Sequence, residues 1–358
     1  MAASGLLVLI AVSGSDWHQK VGGQVIYVSL GGENQLAVFD FNDRTGEISL
    51  RSRVELDGSP GPMVVNLRKK VLYVGLREKP GVQALRLDNE GSAASLATTP
   101  TGLNPVYLEL DPAGRYLFAA DYGSGAVVSF SILESGVVSE SETQRFVAGK
   151  NPHSFYFAPA GRYAFVPVLG DDAIMQYHYN ANSGTLSPNE PAKVTANQGD
   201  GPRHLAWHPN GSVVLCADEV SCTLTSYRFD SSRGTLTRLD RVSSLPAGCS
   251  GRNLSTADVH ITRDGRFAYI SNRGHDSLAG FAINESTGRL LPIGQTATEA
   301  TPRAFSFDAT GKFLISAGQS SGKLAIYRLN SADGTLQRVQ TVEAGKEPVW
   351  VEAVPKLL

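Results

Sequence analysis

The stretch GPRHLAWHPNGSVVLCADEV, residues 201–220, carries the reading of the fold. At its centre stands HPNG, a polar turn closed by Gly211, followed by a run of large residues. A turn of that chemistry joining two such runs reads as a β-hairpin. Four other stretches share the pattern: DPAGRYLF (111–118), APAGRYAF (158–165), TRDGRFAYI (262–270) and DATGKFLI (308–315). Their glycines stand at 114, 161, 211, 265 and 311, a period near 50. Several short strands per period of that length are the spacing of a β-propeller.

A second glycine turn recurs later in the units, at Gly46, Gly184, Gly234, Gly288 and Gly334. Two hairpins per unit give four strands, and no stretch carries a convincing helical period. Proline opens the units at Pro62, Pro105, Pro152, Pro202, Pro302 and Pro348, and Ala257 takes that place in the unit of Gly265, with one residue deleted from its turn. Seven starts give an all-β, seven-bladed propeller with four-stranded antiparallel blades over residues 24–354. The last start, PVWVEAV, supplies one strand only, so strands near 25–30, 36–41 and 48–54 are expected to complete that blade. A last blade closed by N- and C-terminal strands leaves no free sheet edge. Residues 1–23 read as a tail or an extra strand, and residues 355–358 as a short tail.

Composition agrees. Glycine is frequent at 37 of 358 residues, and only 18% of residues are charged, as suits many tight turns and much buried sheet. The net charge of −2 comes with no basic stripe, which argues against nucleic acid and for a small-molecule partner. Cys216, Cys222 and Cys249 form no CxxC pair and read as reduced, packed side chains. The apolar run GLLVLIAV (5–12) is too short to span a bilayer, and no Lys or Arg precedes it as a secretory leader would want. Expectations are a cytoplasmic protein with secretion as the alternative, no membrane contact, and a monomer or weak homo-oligomer. Three N-x-S sequons, at Asn210, Asn253 and Asn284, carry little weight.

The propeller geometry makes a prediction about function. The start of each first strand and the end of each second strand lie on one face, close to the axis. The first slot, just after the proline, holds Met63, Val106, His153, Arg203, Asp258, Arg303 and Val349. The second, eight residues past the turn glycine or its equivalent, holds Gly31, Arg77, Tyr122, Leu169, Glu219, Arg273 and Gln319. A ring kept for structure alone could fill such slots with small or apolar residues. Here His153, Arg203 with Glu219, Asp258 with Arg273, and Arg303 with Gln319 come from consecutive blades, and Arg77 joins from across the channel. Singly each has a plain structural reading: Arg203–Glu219 as an ion pair, Asp258 as a loop cap or partner of Arg273, His153 as a satisfied polar residue. His208, His178 and His18 read as structural, while His204 and His260 stay open. The convergence points to a site, in which Met63 and Val106 are expected to tolerate change.

The stretches GPRHLAWHPNG, ADVHITRDGRFAYISNRGHDSL and TPRAFSFDATGKFLISAGQSSGKLAIYRL resemble the propeller-type lactonase family, which includes bacterial 6-phosphogluconolactonases of this type and fungal carboxymuconate lactonizing enzymes. The likeness runs from about Gln24 through nearly the whole chain. It implies a seven-bladed propeller and a His–Arg–Glu–Arg site, matched here by His153, Arg203, Glu219 and Arg273. It also implies opening of a phosphorylated sugar lactone, in the pentose phosphate pathway, with another lactonase or a lactonizing enzyme as the alternative activity. A non-catalytic interaction platform is the alternative of another class.

The residue types suit that chemistry. Glu219 or His153 can take a proton from water, and protonated His153 can return one to the leaving ring oxygen. Arg203 and Arg273 can hold an oxyanion or grip a carboxylate or phosphate in bidentate fashion. Arg77, Arg303, Gln319, Lys323, Asp258 and His260 are the substrate- or phosphate-binding candidates. No metal site is expected, because arginines at the same mouth would repel a dication, and no nucleotide loop is present, so no cofactor is expected.

Overall fold

The computed structural model describes residues 23–251 and 253–356. The apolar run at residues 5–12 and His18 lie outside them. The described chain forms seven four-stranded antiparallel sheets arranged as the blades of a propeller, with a single 3-10 turn at Leu169–Asp171 as its helical element. Blades 1 to 6 cover residues 60–100, 105–147, 152–195, 202–243, 255–297 and 302–343. Blade 7 takes its innermost strand, Pro348–Pro355, from the C-terminal end of the chain. Its other three, Gln24–Leu30, Gln35–Phe41 and Ile48–Glu55, come from the N-terminal part. Val25 pairs with Val354 and Val28 with Val351 across the closing seam.

The strand sequences follow from their place in the blade. The second strand of blade 4, Val213–Asp218, is buried at every position because neighbouring blades cover both its faces. The outermost strand, Thr235–Ser243, has one face toward solvent and alternates accordingly. The core consists of seven apolar clusters, one in each gap between adjacent blades. Val214, Cys216 and Tyr227 of blade 4 meet Phe165 and Ile174 of blade 3, for example. Ile26 and Phe39 of blade 7 meet Phe313 and Ile326 of blade 6.

Polar anchors cross the same gaps. The hydroxyl of Tyr27 donates to the Gly91 carbonyl (2.6 Å), Tyr73 to Gly136 (2.8 Å) and Ser226 to Gly288 (2.6 Å). The acceptor is each time the glycine of the next blade's second hairpin, a turn the sequence had marked in five units. Gly91 and Gly136 supply it in blades 1 and 2.

Candidate active site at the propeller mouth

Each inner strand carries a bulge where it enters the channel. In blade 4, Pro202 pairs with Asp218 and His204 with Ala217, so Arg203 has no partner opposite. A bulge of this kind re-aims a side chain, and here it turns Arg203 toward the axis while its strand stays paired. Pro302 with Gly318 and Ala304 with Ala317 treat Arg303 the same way. At the end of the second strand, the Glu219 amide donates to the Gly201 carbonyl (2.8 Å), which places Glu219 beside the bulge of its own blade.

Two first-slot assignments shift by this register. In blade 5 Thr256 pairs with Asn272 and Val259 with Ile270, so Thr256 takes the proline's place and Ala257 the slot, with no residue deleted from the turn. Asp258 therefore sits one layer deeper, level with His204. In blade 1, Pro60 pairs with Leu76 and Met63 with Val74, so Pro60 opens the blade and Gly61 fills the slot. Met63 is a core residue of the gap between blades 7 and 1, 2% exposed, and not a residue of the mouth slot.

What converges is a carboxylate between two guanidinium groups. Glu219 Oε2 lies 2.8 Å from Arg203 Nε, and Glu219 Oε1 lies 2.9 Å from Arg273 Nη2. Arg203, 2% exposed, also donates through Nη1 to the Ala257 carbonyl, and Arg273 Nη2 donates to the Thr256 carbonyl (2.8 Å). Both arginines are thus fixed to the backbone of blade 5. The Arg203 Nε and Glu219 Oε2 atoms are close but not aligned as a straight hydrogen bond, so the contact is chiefly ionic. His153 Nε2 stands 4.0 Å from Glu219 Oε2, with the Tyr122 ring edge-on to the imidazole at 5.6 Å.

Charges around the mouth set the protonation states. Burial pushes the Glu219 carboxyl up, but Arg203, Arg273 and Arg303 together hold it below its ordinary value, so it is ionised at neutral pH. Burial, then the positive charge of Arg203, holds the His153 imidazole far below its usual range, and it is neutral. Arg303 is pushed down to about 9 by burial and by Arg203, Arg77 and Arg273. Among the described residues, neither Arg77 nor Arg303 has a carboxylate partner. Arg77, Arg203 and Arg303 line one small recess with Gly61, His204 and Trp350. Four guanidinium groups against one mouth carboxylate make a site for an anion.

A family model described as lactonase, 7-bladed beta-propeller, matches residues 18–353. The chain belongs to this lactonase family. A protein named 6-phosphogluconolactonase from Pectobacterium carotovorum is 35% identical over 332 residues, covering 92% of this chain and 98% of its own. One of the same name from Yersinia enterocolitica is 33% identical over 328 residues, covering 92% and 97%. Among solved structures, the periplasmic gluconolactonase of Pseudomonas aeruginosa superposes with a TM-score of 0.86 at 25% identity, over 93% of this chain and 99% of that one.

Within this lactonase fold, His153, Arg203, Glu219 and Arg273 come together, with Arg77 and Arg303 beside them. Other candidates stand apart. Lys323 begins a third strand, away from the axis, and pairs with Glu343 at 3.4 Å. Gln319 opens on an outer hollow lined by Glu33, Arg53, Lys346 and Glu347. Asp258 does not pair with Arg273. Its Oδ1 meets His204 Nδ1 at 2.9 Å and its Oδ2 meets His260 Nε2 at 3.2 Å, inside the channel below the mouth. That channel, of about 360 Å³, also holds Tyr107, Glu109, Tyr156, Trp350 and Glu352, none of which the slot pattern singled out. Glu109 and Glu352 lie three residues past the slots at Val106 and Val349, as His260 does past Ala257, because the bulge takes up one residue before alternate positions face the axis. Among the described residues no helix is long and apolar enough to cross a membrane, and no cluster of metal-ligating side chains occurs.

Proposed function

We propose that this protein hydrolyses 6-phosphoglucono-1,5-lactone to 6-phosphogluconate. The observation that carries the reading is the division of the mouth arginines: Arg203 and Arg273 are bound to Glu219, whereas Arg77 and Arg303 have no anionic partner among the described residues. The first pair suits the oxyanion that forms as water adds to the lactone carbonyl, and the second suits a phosphate. The names of the relatives at 33–35% identity support the same substrate.

In this reading His153 moves the protons. The charge of Glu219 is committed to two guanidinium groups, whereas His153 is neutral and stands beside it, with Nε2 4.0 Å from Glu219 Oε2. The imidazole takes a proton from water as the new C–O bond forms, then returns it to the ring oxygen as the old C–O bond breaks. Glu219 holds the two arginines in place and offsets the charge that gathers on the imidazole. A phosphorylated substrate does not cross membranes unaided, which supports the cytoplasm as the place where the enzyme works.

A second reading, an unphosphorylated sugar lactone, has the Pseudomonas aeruginosa neighbour in its favour. Freshly prepared 6-phosphoglucono-lactone and glucono-lactone, each measured against its spontaneous hydrolysis, separate the two. The expected result is a kcat/KM at least about 10²-fold higher for the phosphorylated lactone, the loss of a buried charged contact being worth roughly 3 kcal/mol or more. Equal values would favour the second reading, and no rate above the blank with either would remove both.

A further inference from the structure

Among the described residues, two buried ring nitrogens near the mouth have no hydrogen-bond partner: Nδ1 of His153 and Nε2 of His204. Both residues are nearly closed to solvent, at 6% and 3% exposure. Leaving such an atom unsatisfied is costly, so two at one place call for an explanation. Their rings are neighbours, with centroids 5.3 Å apart. That is about the spacing of two imidazoles joined by an N–H···N hydrogen bond, roughly 2.9 Å between nitrogens plus the two ring radii.

We propose that His204 is the positioning residue of His153, its Nε2 accepting a hydrogen bond from His153 Nδ1–H in the working enzyme. The tautomers follow from the other end of the chain. Asp258 Oδ1 lies 2.9 Å from His204 Nδ1, so that nitrogen carries the proton and Nε2 is left as a lone pair. His153 must then be protonated on Nδ1, which leaves its Nε2 bare and facing Glu219. The ring is thereby supplied in the form that can accept a proton from water. When it does so, Nδ1–H leans toward His204, and Asp258 answers the positive charge.

The surrounding groups keep both imidazoles neutral at rest. His204 is faced by Arg203 on its own strand, by Asp258 and His260 of blade 5, by His153 of blade 3, by Tyr107 of blade 2 and by Trp350 of blade 7. His153 is faced by Tyr122, Arg203, Glu219 and Arg303. Burial and Arg203 take the His204 imidazole down to about 4 despite Asp258.

The inference rests on the reading of His153 as the proton carrier, and its test keeps the two apart. Long-range proton–nitrogen NMR on the intact protein at pH 7, with His153→Asn and His204→Gln used for assignment, reads each tautomer directly and needs no turnover. Expected are His204 protonated on Nδ1 only and His153 protonated on Nδ1 only. His153 protonated on Nε2, or His204 as a cation, overturns the proposal whatever the enzyme hydrolyses. In kinetics, His204→Phe keeps a ring but no nitrogen and should lower kcat by about 10²-fold or more, since loss of a tautomer-fixing partner costs up to about 10⁴ in comparable hydrolases. His204→Gln, whose amide oxygen can accept from His153, should recover part of kcat. An unchanged kcat in folded His204→Phe, or a loss confined to KM, also overturns it. If His204→Phe does not fold, the tautomers of the native protein decide. Correct tautomers with no lactone hydrolysis would leave the hydrogen bond standing and remove the function proposed for the site.

Discussion

Glu219 sits where one carboxylate must satisfy two guanidinium groups fixed by backbone carbonyls of the neighbouring blade. Removing its charge therefore unbalances the mouth as a whole. Glu219→Gln and His153→Asn are each expected to lower kcat by about 10²–10⁴-fold, the range for groups that carry or steady a transferred proton. Arg303→Ala, at a residue with no carboxylate of its own, should act mainly through KM, as loss of uniform binding does. Arg203→Lys should be harmful although the charge is kept, because an ammonium cannot reach both Glu219 and the Ala257 carbonyl in one plane. Steady-state kinetics with folding followed by circular dichroism checks the set. Near-normal kcat in both folded Glu219→Gln and folded His153→Asn would remove the catalytic assignment.

At the scale of the element, the site is a product of bulges and glycine turns. The turns were legible in the sequence because glycine is the residue that reaches left-handed φ without strain, and the turns at Gly211 (+70°) and Gly234 (+69°) both use it. The bulges were legible only in part. Reading on from the opening proline placed His153, Arg203 and Arg303 in the slot, but the same reading moved blade 5 by one residue and blade 1 by two. Proline had been taken as the register mark, and it misled where Thr256 replaces it and where both Pro60 and Pro62 are present. The register belongs to hydrogen-bonded pairs, which residue type reports only indirectly. Hence the deeper layer, with His204 and Asp258 side by side, could not be read from the slots. The turns themselves can be tested. A Cβ at Gly234 would lie 2.1 Å from the Tyr163 ring of the preceding blade, in addition to the left-handed backbone. Gly234→Ala is expected to cost about 2–4 kcal/mol, combining the αL penalty with overpacking. Thermal melts should show a clear drop in Tm while kcat of the remaining folded protein stays within twofold, since this turn lies far from the mouth. An unchanged Tm would mean that the blade gap absorbs the methyl group without loss.

For the whole molecule, seven equivalent gaps close a ring around an axis, and whatever faces the axis is buried by symmetry of the fold rather than by local apolar sequence. Glu109 and Glu352 show the consequence. They share the channel with His260, Asp258 and the rings of Tyr107, Tyr156 and Trp350. Burial and the neighbouring Glu352 push the Glu109 carboxyl up to about 8, and burial pushes Glu352 up to about 7 although His260 opposes it. Both values lie above those of the unfolded chain, near 4.3. Between about pH 4.3 and 8 the native state therefore binds more protons than the unfolded state, and stability falls as pH rises through that window. The contribution is fully present below the unfolded value and is lost once both carboxyls ionise. Asp258 and Glu219 act in the opposite sense, since their folded values are lowered and their stabilisation disappears only as pH falls through those lower values. The buried imidazoles of His153 and His204, whose folded values are also lowered, stay neutral in the fold and gain protons only on unfolding below about pH 6.5, so they oppose the channel carboxyls there. Tm is thus expected to be a few degrees lower at pH 8.5 than at pH 6.5, given roughly 1–2 °C per kcal/mol for a chain of this size. Glu109→Gln with Glu352→Gln keeps the shape and removes both ionisations, so its Tm should vary much less over that range and exceed that of the parent at pH 8.5. Calorimetric melts of both proteins at the two pH values make the comparison. Parallel curves would mean that the channel carboxylates ionise without cost, and that water in the open axis solvates them as well as bulk solvent does.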